Sequence, residues 1–151
     1  MENLILFIIL FALGYFAGHV AEKRHYKSIA AREKALLHIP AVSFGKHFSA
    51  PRPVVSTELV VGSAVISLDY FKRVLAALRN IFGGEVRSYE TLVDRARREA
   101  MLRMREQARS ADIVINCRLE TSAIGSSANR KNSVGSVEAI AYGTAVEYGK
   151  A

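Results

Sequence analysis

Cysteine is nearly absent from this chain: Cys117 is the only one in 151 residues. One thiol makes no intrachain disulfide and no cysteine-pair metal site, which suits a reducing cytoplasm. The signatures of common catalytic sites are also missing. No glycine-rich loop leads into a phosphate-binding lysine, and no Gly-x-Ser-x-Gly elbow presents a serine. The four histidines, His19, His25, His38 and His47, all precede the stretch that reads as a folded domain. No spacing marks a pair of carboxylates. These absences predict a protein that is not an enzyme, has no resident cofactor beyond a metal ion, and takes no small-molecule substrate. Lysine and arginine exceed aspartate and glutamate by 7. On the domain, however, the cations are interleaved with acids rather than blocked together, so no nucleic-acid partner is expected.

What the chain does have is a long apolar run at its start. Leu4 to Ala21 carries no charged residue. Its length is near the lower limit for crossing a bilayer, which takes about 20 residues at about 1.5 Å of rise each. Lys23, Arg24, His25 and Lys27 follow at once, whereas Glu2 is the only charged side chain before the run. A cleaved signal peptide wants a basic start, which Met1-Glu2-Asn3 is not, although Ala12 and Gly14 are small enough for cleavage. A buried core helix would not end on so abrupt a charge edge. The reading is a retained anchor. By the positive-inside tendency the N-terminus lies outside and the C-terminal domain in the cytoplasm, as a single-pass inner-membrane protein. Gly14 and Gly18 are four apart, a small-xxx-small spacing that lets membrane helices approach closely; glycine is also simply common in such helices.

The expected organisation is an anchor over 1–22, a basic juxtamembrane helix over 23–40, a connector over 41–53 and a domain over 54–151. Glu22 to Lys34 holds five Lys/Arg against two Glu, a charge that an anionic inner leaflet attracts. Good helix formers run from Ser28 to Ile39 and stop at Pro40, so anchor and stalk form one long helix or two abutting ones. Pro51 and Pro53 mark an irregular or short-strand connector. Val54 to Ser67 is rich in Val and Ile and reads as one strand bulged at Gly62-Ser63, or as two.

Two helices are expected next. The first is capped by Asp69, presents Phe71, Val74, Leu75, Leu78, Ile81 and Phe82 on one face, and closes at Gly83-Gly84. The second is capped by Ser88 and runs to about Arg109. Its buried face is Tyr89, Leu92, Val93, Ala96, Ala100, Met104 and Ala108. Its outer face pairs Asp94 with Arg98 and Glu99 with Arg103, and its many arginines read as a solvated charged face. Two strands close the domain. In Asp112–Thr121, Ile113, Ile115, Cys117 and Leu119 fall on one side, and Val114, Asn116, Arg118 and Glu120 on the other. A polar loop over Ser122–Ser133 leads to Val134–Tyr148, where Val137, Ala139, Ala141, Gly143 and Ala145 leave room for a close neighbour.

Candidate metal ligands are few. His19, Glu22 and His25 are three apart on one helix and would hold an ion only if chains assemble; a membrane-interface flank is the preferred reading of them. Cys117 would contribute to a metal only as a ring of thiolates in an oligomer. Otherwise it is a small apolar core residue.

The domain also resembles a known family. Val60-Val61-Gly62-Ser63, the Gly83-Gly84-x-x-x-Ser88-Tyr89-Glu90 junction, Ala96-Arg97 with Glu99-Ala100, Ala111-Asp112 and the closing Tyr142-Gly143-Thr144-Ala145-Val146 are similar in order and spacing to the YbjQ family. That family is also called UPF0145 or the "putative heavy-metal-binding" domain. The resemblance covers roughly Val54 to Glu147, with anchor and stalk outside it, as in a membrane-anchored subgroup. The chain departs from the pattern at Ser110, where glycine is usual, and at Cys117, where an aliphatic residue is usual.

The resemblance implies an α+β, dodecin-like domain of β-α-α-β-β order that assembles into a homopentameric ring. It supplies no metal-ligand set. The expected function is a membrane-anchored, ring-forming homo-oligomer with a scaffold role, and the alternative is a heavy-metal-binding or metal-sensing protein.

Overall fold

The computed structural model of the protein describes residues 2–44, 49–67, 87–124 and 136–149. It is α+β. Five elements follow one another: α1 (Glu2–Ala35), β1 (Val54–Ser67), α2 (Arg87–Gln107), β2 (Ile113–Ile124) and β3 (Ser136–Tyr148). The expected helix between Asp69 and Gly84 lies outside the described residues, as does the tip of the polar loop.

Anchor and stalk are one continuous helix of 34 residues. Beyond Ala35 the chain tightens into a turn in which the Ile39 amide donates to the Leu36 carbonyl at 3.1 Å, and Pro40 then blocks any continuation. Leu4 to Leu10 are all at least half exposed, so nothing among the described residues covers the apolar run. This is the one helix, among the described residues, long and apolar enough to cross a membrane.

The sheet has the order β1-β3-β2, with β3 antiparallel to both neighbours. One face is lined by Val60, Gly62 and Ala64 of β1 and by Val137, Ala139, Ala141, Gly143 and Ala145 of β3, all buried. The expected small-residue side of the last strand is therefore the core side. Helix α2 lies against it through Leu92, Ala96, Ala100, Met104 and Ala108. Small residues on both surfaces let backbone approach backbone. At Gly62 a Cβ would stand only 2.3 Å from the Met104 amide nitrogen, and closer still to the Ala100 carbonyl oxygen. Gly62 is thus a point of close approach between helix and sheet, not a bulge. The irregularity in β1 falls between Val54 and Ser56 instead.

Strand β2 corrects the expected alternation. Its register against β3 slips between Ile115 and Arg118, and Asn116 sits at φ 52°. One extra residue there reverses the inside–outside order. Val114 is fully buried before the bulge, and Cys117 and Leu119 pack against the core after it. Asparagine is among the few non-glycine residues that adopt this left-handed conformation readily. Opposite the bulge is Gly143, where a Cβ would meet Val114 Cγ1 at 2.7 Å. The connector also has structure: Ala41 pairs with Val114 in a parallel bridge. The Val114 amide donates to the Pro40 carbonyl at 2.9 Å, and the Val42 amide to the Val114 carbonyl at 3.0 Å. This segment covers the outer edge of β2.

Candidate functional site: the stalk–α2 interface and a three-sulfur cluster

Stalk and domain are not independent bodies. The C-terminal half of α1 lies along α2, and Ile29, Leu36 and Ile39 from this region are buried in the domain core. Around this apolar seam runs a ladder of charges. Glu22 meets Arg95 at 3.8 Å. His25 accepts from Arg95 Nε at 3.3 Å and faces Glu99 at 3.6 Å. Arg32 donates to both oxygens of Glu99, at 2.9 and 3.1 Å, and to both oxygens of Glu106, at 2.9 Å each. Glu33 accepts from Arg98 Nε at 2.8 Å. The partners advance in the same direction along both helices. Tyr26 sits under Arg95 and Arg98, whose guanidinium carbons lie 5.9 and 5.8 Å from its ring centre.

Glu99 is the correction within α2. The i,i+4 pattern places it on the outer face, paired with Arg103, and that pair is present at 2.9 Å. Yet Glu99 is only 4% exposed, and Leu102, absent from the expected buried face, is 1% exposed. The stalk covers a second face of α2, which only a helix distant in sequence can do. A lone buried carboxylate would cost several kcal/mol. Burial pushes the Glu99 carboxyl up, but the Arg32 and Arg103 guanidiniums override this and hold it below the ordinary range. Arg98 lowers Glu33, and Arg32 lowers Glu106, each by direct hydrogen bonds. For His25, burial and the Arg95 charge outweigh Glu99, so its pKa falls and the ring is neutral at pH 7.

The metal candidates can now be placed. His19 stacks on Tyr15 within the apolar run, with ring centres 6.4 Å apart. Glu22 and His25 both turn toward Arg95, whose positive charge disfavours a cation between them. Among the described residues no three His, Cys, Asp or Glu side chains converge in a way that would hold a metal ion. Cys117 is elsewhere, on β2 where that strand faces α2. Its Sγ lies 3.8 Å from Met101 Sδ and 3.9 Å from Met104 Sδ. The chain has three methionines and one cysteine, so every sulfur except that of Met1 meets at this point. Sequence reasoning placed Met104 on the buried face and gave no role to Met101. The i, i+3 spacing of the two was legible, but their meeting with a strand residue was not.

Beside the cluster is an open groove of about 760 Å³ between stalk, α2 and β2, with Met101, Leu102, Leu119 and Leu37 on its apolar wall and Arg97 and Arg105 at its rim. Burial pushes the Cys117 thiol up, against the pull of the Arg105 charge. Arg95, Arg98 and Arg103 are tied to acids, and Arg103 also donates to the Ser63 carbonyl at 2.7 Å.

Comparison with known proteins agrees with the resemblance. Residues 46–149 match the YbjQ family, whose description is "putative heavy-metal-binding". A UPF0145 protein of Hahella chejuensis is 44% identical over 90 residues, covering 58% of this chain and 79% of that one. One from Clostridium novyi is 38% identical over 102 residues, covering 66% and 91%. One from Thermococcus kodakarensis is 37% identical over 107 residues, covering 62% and 88%. Relatives thus occur in bacteria and archaea alike.

Proposed function

This chain belongs to the YbjQ (UPF0145) family, and on that premise we propose that it is a membrane-anchored subunit of a homo-oligomeric ring, acting as a cytoplasmic scaffold rather than as an enzyme. The observation that carries the reading is that two apolar surfaces lack cover among the described residues. The first is the N-terminal half of α1, whose side chains from Leu4 to Leu10 stand exposed; a bilayer is the solvent that suits them. The second is the sheet face turned away from α2, where Leu59, Val61, Val65 and Ile140 form an exposed stripe.

Strand β1 adds to this second surface. It is a 14-residue edge strand, and among the described residues no other strand pairs with its outer side. A long, β-branched open edge invites pairing with another chain unless something blocks it. The occupant that fits is β1 or a neighbouring strand of a second copy. The charge asymmetry about α1 supports a cytoplasmic domain with the N-terminus outside. Because the stalk is clamped to α2 by Arg32, Glu33 and their partners, the anchor's direction is fixed relative to the ring.

The test is Leu59→Lys with Val65→Lys in full-length protein extracted in mild detergent. Light scattering after size exclusion should show the parent as a multimer and the variant as single chains with an unchanged circular dichroism spectrum. A variant of parental mass would refute the interface. The family description favours a second reading, metal binding, and the observation on its side is the meeting of Cys117 with two methionine sulfurs.

A further inference from the structure

We propose that Cys117, Met101 and Met104 form a binding site for one soft monovalent cation of the Cu(I) class. The inference rests on the metal-binding reading and not on the ring. Thiolate and thioether donors select soft ions. Metal–sulfur bonds of about 2.3 Å in a trigonal plane set the sulfurs about 4 Å apart, and the two separations here are 3.8 and 3.9 Å. Each methionine sulfur thus stands at the separation from Cys117 Sγ that a shared ion requires. Two donors of three are neutral, which suits Cu(I) and disfavours the borderline Zn(II).

Charge points the same way. On binding, the Cys117 thiol releases its proton to solvent and the thiolate–Cu(I) unit is neutral overall. A divalent ion would leave a net positive charge partly buried beside Arg105, which already acts on Cys117 electrostatically. The site also has support and an entrance. Met101 and Met104 are held on one face of α2, and the bulge at Asn116 turns Cys117 inward to meet them. Met104 is fully buried, whereas Met101 is partly exposed and lines the open groove. An ion would enter past Met101.

The experiment uses the full-length chain in mild detergent, reduced and free of oxygen, competing for Cu(I) with a chromophoric chelator. X-ray absorption then reads the ligand shell. The expected result is one Cu(I) per chain in an all-sulfur shell of three, with Zn(II) not retained. Cys117→Ser should weaken binding by about 100-fold or more, since it removes the only anionic donor. Met101→Leu and Met104→Leu conserve volume and keep the fold; each should weaken binding about tenfold and reduce the shell to two sulfurs. A Cys117→Ser variant that binds Cu(I) as tightly as the parent would overturn this site while leaving metal binding elsewhere in the chain. A parent that retains neither Cu(I) nor Zn(II) would overturn both. Methionine variants with parental affinity and an unchanged shell would overturn the three-sulfur site.

Discussion

Gly62→Ala is the smallest change that should disturb the whole domain. The added methyl would fall 2.3 Å from the Met104 amide nitrogen and closer still to the Ala100 carbonyl oxygen. Ordinary contact needs about 3.4 Å or more, so α2 must lift from the sheet by about 1 Å. Neither obstacle is a side chain that can swing aside. Overpacking costs about 1–3 kcal/mol, and backbone obstacles put this case at the upper end. The gain from restricting the unfolded chain, about 0.4–1 kcal/mol, offsets only part. A net loss of about 2 kcal/mol lowers the melting temperature of a domain this size by about 10 °C.

Thermal unfolding followed by circular dichroism reads the shift. Gly149→Ala is the internal control, because a Cβ there meets nothing closer than Val55 Cγ2 at 3.4 Å. A Gly62→Ala protein that melts with the parent would refute the close approach of α2 to β1.

Further predictions concern the stalk and the bulge. Arg32→Met should destabilise by about 2 kcal/mol, less than the 3–5 expected for stripping a buried charge of its partner, because Arg103 stays on Glu99. Adding Glu99→Leu should recover more than half, and a double-mutant cycle without coupling would rule out the ladder. The depressed carboxyls Glu33, Glu99 and Glu106 mean that the unfolded chain binds more protons on acidification. Their contribution is complete above the ordinary carboxylate range, about pH 4.3, and is lost as pH falls through their lower folded values. The neutral His25 adds a smaller loss of the same sign below about pH 6.5. Melting temperature should therefore fall from pH 6 to pH 3, and Arg32→Met should flatten the fall; a flat parental profile would contradict this. Asn116→Val should cost about 1–2 kcal/mol because its φ is positive, while Asn116→Gly should be nearly neutral, and equal melting of the two would remove the strain argument.

Much of the fold was legible because it rests on local pattern. The anchor shows as an uninterrupted apolar run, and the five small or apolar residues at alternate positions from Val137 to Ala145 show as a core face. The apolar stripe of α2 appears at helical spacing, with Leu92, Ala96, Ala100, Met104 and Ala108 all buried. What escaped depends on contacts between distant segments. Glu99 and Leu102 look solvent-facing until the stalk is laid across them. A single φ at Asn116 reverses the parity of everything after it, and an asparagine within a strand pattern is the one local hint of it. The sulfur cluster joins a helix face to a bulged strand, so Met101 reads as one more helix residue until Cys117 is turned toward it. The candidate ligands His19, Glu22 and His25 rest on spacing alone, and spacing says nothing of the arginine that α2 sets beside Glu22 and His25.

The measurement closest to the central claim is the native mass of full-length protein released from mild detergent without added metal. A closed assembly is the predicted result, because a 14-residue edge strand and a sheet face open among the described residues need partners, and the family resemblance implies about five chains or a multiple. A single chain as the only species would contradict the account.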